Sequence, residues 1–82
     1  MKSLKSGWAL ESTTLTKDFN FNNFKRTINF VNQVAEISEK LNHHPMFIVN
    51  YTQVRLSLAT HDVGGISDKD FELAEKIDEL SL

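Results

Sequence analysis

The sequence predicts an α+β fold in which one four-stranded antiparallel sheet has two helices packed on one face, in the order β-β-α-β-β-α. Short segments of alternating apolar and polar residues occur in two pairs, as expected for hairpin strands. Two longer segments have their apolar residues on one side of a helix. Because each helix has a single apolar face, one face of a single sheet can bury both helices.

The first pair of strands is predicted from GWALES, residues 7–12, and TLTKDFNF, residues 14–21. In the second segment Leu15, Phe19 and Phe21 alternate with polar residues, so they share one face of the strand. The intervening ESTT is suited to a turn.

The longer helix is predicted over residues 23–41, with Asn22 as its N-cap. One half of this helix is mostly apolar and the other half is polar, with Glu39 at the border. Pro45 disfavours helical geometry at the residue before it, so the helix should end near Asn42. The predicted inward half consists of Phe24, Thr27, Ile28, Phe30, Val31, Val34, Ala35, Ile37, Ser38 and Leu41.

A second hairpin is predicted from MFIVN and TQVRLSLAT, followed by the loop HDVGGIS. Ser67 and Asp70 have the spacing of a capping box, with Asp in place of the usual Glu or Gln. The second helix should therefore begin here and run to about Leu80. Its predicted inward residues are Leu73, Ala74, Ile77 and Leu80.

Composition excludes several classes of function. A chain of 82 residues is expected to form one domain, residues 1–82. With no Cys, neither a disulfide nor a zinc–thiolate site can form. A net charge of −2 with scattered Lys and Arg argues against nucleic-acid binding. No apolar run could span a membrane and the first ten residues lack a signal-peptide core, so we expect a cytoplasmic protein.

Three histidines are the main candidates for chemistry. His43 and His44 precede the third strand, and His61 follows the fourth. In a hairpin the start of one strand lies beside the end of the next, so all three should lie at one end of the sheet. Imidazole exchanges protons near neutral pH, which favours general acid–base catalysis.

Two carboxylates are candidates for orienting these imidazoles. Glu39 lies four residues before His43, at the border of the apolar helix face, and Asp70 projects to the buried side of the second helix. Both also have ordinary structural explanations, which are a surface position for Glu39 and the capping box for Asp70.

Metal binding is an alternative use of the histidines. The three imidazoles and Asp62 include the donors that zinc prefers. However, adjacent residues of an extended segment point to opposite sides, which hinders His43 and His44 from binding one ion. We therefore expect no metal.

The sequence resembles the pterin-4a-carbinolamine dehydratases over nearly its whole length, from Gly7 to the last helix. Their motif is E-x₃-H-H-P, then an aromatic residue, a His and an Asp at fixed spacing, with a TH…GG[IL]S..D stretch overlapping its end. The matching residues are Glu39, His43, His44, Pro45, Tyr51, His61 and Asp70, with Thr60 and the segment 64–67 in the second stretch. In the N-terminal half the matching residues are Trp8, Leu10, Phe19, Phe21 and Phe24.

The resemblance implies a specific reaction. Members of this family dehydrate the 4a-hydroxytetrahydropterin released by aromatic amino-acid hydroxylases to quinonoid dihydropterin, which a reductase recycles. No metal or redox cofactor is needed. By similarity, His43 and His61 are the acid–base pair, His44 binds and orients the pterin, and Glu39 and Asp70 support them.

Several residues are expected to bind the substrate, although Trp8 and Phe47 could equally belong to the core. The expected substrate-binding residues are His44, Pro45, Thr60, Trp8 and Phe47. Met46 and Phe47 stand where family members often have Glu-Trp, which bears on the shape of the pocket.

Apolar residues such as Ile48 and Ala59 on the outer sheet face predict a homodimer or homotetramer. The alternative function is a pterin-binding or protein-binding module that has the same fold and little turnover.

Overall fold

The computed structural model describes residues 7–80, and these have the predicted element order and α+β architecture. Residues 1–6, in which no signal-peptide core is expected, and residues 81–82 lie outside the described part. The elements are β1 (Ala9–Glu11), β2 (Thr14–Asn20), α1 (Phe24–Leu41), β3 (Met46–Asn50), β4 (Gln53–Leu58), a 3₁₀ turn at His61–Val63, and α2 (Asp68–Asp78).

The strands form one antiparallel sheet in the order β1-β2-β4-β3, which confirms the predicted fold class. On the face toward the helices, Leu15 pairs with Leu58 and Phe19 pairs with Val54, and all four are buried. On the opposite face, Arg55 donates to both carboxylate oxygens of Asp18 at 2.7 and 3.0 Å.

Helix α1 begins one residue later than predicted, because Asn23 and not Asn22 is its N-cap. The side chain of Asn23 accepts a hydrogen bond from the backbone N–H of Arg26 at 2.8 Å. The predicted inward face is correct for most of its centre, but Ala35 is exposed. Phe24 is half exposed and stacks on Tyr51 at the β3–β4 turn. The fully buried residues of α1 are Thr27, Phe30, Val34 and Ser38.

The end of α1 near Asn42 matches the prediction. Asn42 adopts the left-handed conformation, with φ of 52°, in which Asn is tolerated better than most residues. The backbone N–H of Asn42 donates to the carbonyl of Glu39, and that of His43 donates to Ser38 at 3.1 Å. These bonds occupy terminal carbonyls of the helix and fix the backbone of His43 against it.

Helix α2 has the predicted capping box between Ser67 and Asp70. Near its C-terminal end lies a group of three side chains, Trp8, Lys17 and Asp78, which we call the Asp78 cluster. Trp8 Nε1 and Lys17 Nζ each donate to one oxygen of Asp78 at 2.9 Å. The Lys17 ammonium also lies 5.7 Å from the centre of the Trp8 ring, a cation–π distance. This cluster ties the first hairpin to α2.

Within residues 7–80, neither helix has the length and apolar character that crossing a bilayer requires.

Candidate active site

One end of the sheet brings together the segments that contain the candidate residues. Met46, the first residue of β3, pairs with Ser57 near the end of β4, as the hairpin argument predicts. The chain after β4 forms an isolated bridge between Thr60 and Gly65, and α2 then begins at the same end. The segments before β3, after β4 and at the start of α2 therefore meet.

Asp70 is the centre of this region. Its side chain is completely buried, and one oxygen, Oδ1, lies 2.6 Å from Nε2 of His43. The other oxygen, Oδ2, accepts from the hydroxyl of Thr60 at 2.7 Å and from the backbone N–H of Ser67 at 3.0 Å. The hydroxyls of Thr60 and Ser67 lie 2.7 Å apart. We call these four residues the Asp70 cluster.

Each of the four members of the Asp70 cluster is placed by a local feature of the sequence, and Ser67 is the N-cap of α2. His43 directly follows the left-handed residue that ends α1. Thr60 is held by backbone bonds to Gly65, closed by a turn in which Gly64 has φ of 66°. Asp70 is the third residue of α2, where the helix dipole favours a carboxylate.

The imidazole of His43 is mostly covered but not sealed, with 13% of its side chain exposed. Its Nδ1 atom has no hydrogen-bond partner among the described residues. No buried side-chain nitrogen or oxygen in residues 7–80 lacks a partner, so Nδ1 reaches the surface. One ring nitrogen therefore contacts the buried carboxylate and the other faces outward.

His44 and Glu39 form a separate, solvated pair. His44 Nε2 lies 2.5 Å from a carboxylate oxygen of Glu39, and both side chains are more than half exposed. His61 opens the 3₁₀ turn directly after Thr60, is exposed, and has no side-chain hydrogen bond within residues 7–80.

The predicted substrate-binding residues do not all lie in this region. Pro45 is buried beside His44, and Phe47 packs against the core one residue into β3. Thr60 is buried with its hydroxyl committed to Asp70 and Ser67. Trp8 is not brought here, because it belongs to the Asp78 cluster, about 12 Å from Asp70 along α2.

An open depression lies beside the Asp70 cluster, and it includes residues that the sequence did not single out for binding. The depression is lined by Thr60, Asp62, Val63, Ser67, Asp68 and Lys69. Of the residues not proposed for binding, Ser67 could have been found from the sequence, because it matches the family pattern.

Within residues 7–80, no group of three or more His, Cys, Asp and Glu side chains is arranged to hold a metal ion. His43 and His44 contact different carboxylates, so their imidazoles diverge.

Comparison with known proteins adds to this geometry. The model of the family described as pterin 4 alpha carbinolamine dehydratase matches residues 1–80. The chain belongs to this family. A relative named as a candidate pterin-4-alpha-carbinolamine dehydratase in Sulfurisphaera tokodaii is 49% identical over 90% of the chain and 80% of its own length. A similarly named relative in Nitrosomonas eutropha is 41% identical over 98% of the chain and 71% of its own length.

Two solved structures share the pterin-4a-carbinolamine dehydratase fold of this chain. A transcriptional coactivator/pterin dehydratase from Brucella melitensis is 33% identical, with a TM-score of 0.85 over 89% of this chain and 80% of that one. A pterin dehydratase-like RuBisCO assembly factor of the alpha-carboxysome is 24% identical, with a TM-score of 0.75 over 88% and 86% of the two chains. At that identity, the second likeness concerns the fold alone.

Proposed function

We propose that this protein dehydrates a 4a-hydroxytetrahydropterin to quinonoid dihydropterin and water by histidine acid–base catalysis. The observation that carries the proposal is the His43–Asp70 pair, in which a buried carboxylate contacts one nitrogen of an imidazole whose other nitrogen faces outward. Family membership supplies the substrate class. In this proposal the reaction serves the recycling of a tetrahydropterin, such as that used by an aromatic amino-acid hydroxylase.

The reaction requires two proton transfers and no change in oxidation state. The bond between C4a and its hydroxyl oxygen breaks, a proton joins the leaving oxygen to make water, and N5 loses a proton as the N5–C4a double bond forms. His43 and His61 exchange these protons, one as acid and the other as base. General acid–base catalysis contributes about 10²–10⁴-fold for each group.

His44 has a different role in this proposal, which is to hold the pterin ring. Its imidazole is exposed and already paired with the carboxylate of Glu39, which fixes its orientation. Pro45 restricts the backbone conformation of His44, the residue before it.

The direct test is the rate at which a chemically generated 4a-hydroxytetrahydropterin loses water with and without the protein. We expect the protein to accelerate this dehydration although elemental analysis finds no stoichiometric amount of metal in it. A protein that binds the pterin without changing this rate would instead be the binding module, the second candidate function. A rate that depends on a tightly bound metal would also contradict the proposal.

We further propose that the chain forms a homo-oligomer. Strand β3 is an edge of the sheet, and its exposed residues Met46, Ile48 and Val49 are apolar, as expected where a second copy can pair or pack. Sedimentation at micromolar concentration should show a species larger than the 9.4 kDa chain. A purely monomeric protein would contradict this proposal.

A further inference from the structure

The hydroxyl groups and amides around Asp70 form a chain of hydrogen bonds whose direction can be deduced. A carboxylate accepts hydrogen bonds and donates none. The single hydroxyl proton of Thr60 therefore points to Asp70 Oδ2. Thr60 Oγ1 must then accept in its 2.7 Å contact with Ser67, whose own oxygen accepts from the backbone N–H of Lys69.

The same reasoning fixes the proton of His43. Asp70 Oδ1 lies 2.6 Å from Nε2 of His43, and a carboxylate oxygen there can only accept. The neutral imidazole must therefore have its proton on Nε2. Its lone pair is then on Nδ1, the nitrogen that has no partner in residues 7–80 and reaches the surface.

We infer that His43 exchanges protons with the substrate through Nδ1, and that Thr60 is a positioning residue that holds the Asp70 carboxylate in line with Nε2 of His43. This inference rests on the proposed function for its chemistry. Thr60 does not contact the substrate with its hydroxyl, because that hydroxyl is buried and committed at both its donor and acceptor sides. Its role is to occupy Oδ2, so that Oδ1 remains directed at the imidazole.

The change Asp70→Asn provides the sharpest test. Both partners of Oδ2 are donors, so the amide oxygen of Asn must take that place and its NH₂ group must face His43. Nε2 then has to accept, and the imidazole proton moves to Nδ1, the wrong tautomer for a base at that atom. Where an Asp-to-Asn change reverses a catalytic histidine in this way, turnover falls about 10⁴-fold.

The tautomer can be measured without substrate. Long-range ¹H–¹⁵N correlation spectra of ¹⁵N-labelled protein, at a pH where imidazole is neutral, distinguish a proton on Nε2 from one on Nδ1. We expect Nε2–H in the wild type and Nδ1–H in Asp70→Asn. The matched control is Asp78→Asn, the same change at the other end of α2, which should leave the His43 spectrum and kcat as in the wild type.

A second pair of variants tests Thr60 itself and does not depend on Asp70→Asn folding. Thr60→Val removes the hydroxyl at nearly constant volume. His43 should keep its proton on Nε2, because Asp70 remains a carboxylate, but a less firmly held Asp70 should broaden and shift the His43 imidazole resonances and lower kcat about 10- to 100-fold with KM little changed. Thr60→Ser keeps the hydroxyl and should behave as the wild type. Thr16→Val, a buried threonine that hydrogen-bonds to Thr14 and Ser57, controls for loss of a hydroxyl.

Failure of this inference and failure of the proposed function give different results. An active wild type whose neutral His43 has its proton on Nδ1 would overturn the inference and leave the dehydratase function standing. Wild-type His43 resonances and wild-type kcat in Thr60→Val would overturn the role of Thr60. The expected spectra in a wild type that does not accelerate dehydration would support the hydrogen-bond chain and overturn the enzyme function.

Discussion

The two ends of helix α2 each have a carboxylate that is held by side chains from distant parts of the chain, and the difference between them is instructive. Asp78 accepts from Lys17 and Trp8, which can only donate hydrogen bonds. Asp70 contacts His43, which has a second nitrogen that reaches the surface. A hydrogen-bonded carboxylate is thus common to both clusters, although Asp78 is partly exposed and Asp70 is completely buried. What distinguishes the candidate active site is a partner that can exchange a proton with a bound molecule.

The largest expected effect comes from removing the proton-transfer groups of the Asp70 end. The double variant His43→Ala plus His61→Ala should approach the uncatalysed rate of dehydration, because each group contributes about 10²–10⁴-fold. Thermal unfolding followed by circular dichroism should still show a folded chain, since neither side chain belongs to the apolar core. A folded double variant with wild-type turnover would show that the histidines are structural. Single variants can retain activity if each imidazole serves one face of the pterin ring.

The opposite response is expected at the Asp78 end. Asp78→Ala leaves the indole N–H of Trp8, a residue that is only 5% exposed, without its acceptor. An unsatisfied buried donor costs about 1–3 kcal/mol of the free energy of unfolding. The melting temperature should fall by roughly 4–8 °C for each kcal/mol, while kcat of the folded protein stays unchanged. A loss of kcat at unchanged stability would remove the distinction between the two clusters.

A smaller effect is expected from His44, which lies next to the Asp70 cluster but outside it. His44→Ala should raise KM roughly 2- to 10-fold, the value of one hydrogen bond, with a lesser change in kcat. Uniform binding of substrate and transition state appears in KM alone. Steady-state kinetics that instead showed a large fall in kcat would place His44 among the proton-transfer groups.

The smallest effect concerns an ion pair that belongs to neither cluster. The hydrogen bonds from Arg55 hold the pKa of the Asp18 carboxyl below its usual value. A depressed pKa in the folded state stabilises the fold above the unfolded pKa, and this contribution is lost as pH falls through the folded pKa. Urea unfolding between neutral pH and about pH 3 should therefore show a slightly smaller loss of stability for Asp18→Asn than for the wild type. Both side chains are exposed, so 1 M salt should remove the difference.

Local patterns were sufficient to predict the strands, the sheet and most of the inward face of α1 at its centre, where Ala35 is the exception. They failed where two neighbouring positions are chemically equivalent, as with Asn22 and Asn23, either of which can cap a helix. They also failed for Phe24, whose angular position on the helix matches the core residues although its ring stacks on Tyr51. Helical periodicity predicts the angular position of a side chain around the helix axis. It does not predict whether another part of the fold covers that side chain.

The candidate site was predictable in its location but not in its pairing. Hairpin geometry places the three histidines at one end of the sheet, whatever their partners. Which carboxylate meets which imidazole depends on how α2 packs, and His43 and Asp70 are 27 residues apart. Trp8 shows the same limit, because nothing near it in the sequence indicates that its indole reaches Asp78 and not the pterin region.

The left-handed residue that ends α1 limits the insertions and deletions that the following connection can accept during evolution. After Asn42 the chain becomes extended, so His43 turns inward to Asp70 and His44 turns outward to Glu39. Successive side chains of an extended segment alternate between its two sides. One residue inserted between Asn42 and His43 would exchange the inward and outward imidazoles, and one residue lost between Asn42 and Pro45 would remove a histidine. Surface connections usually tolerate such insertions and deletions, whereas this one should be constant in length among the active members of the family.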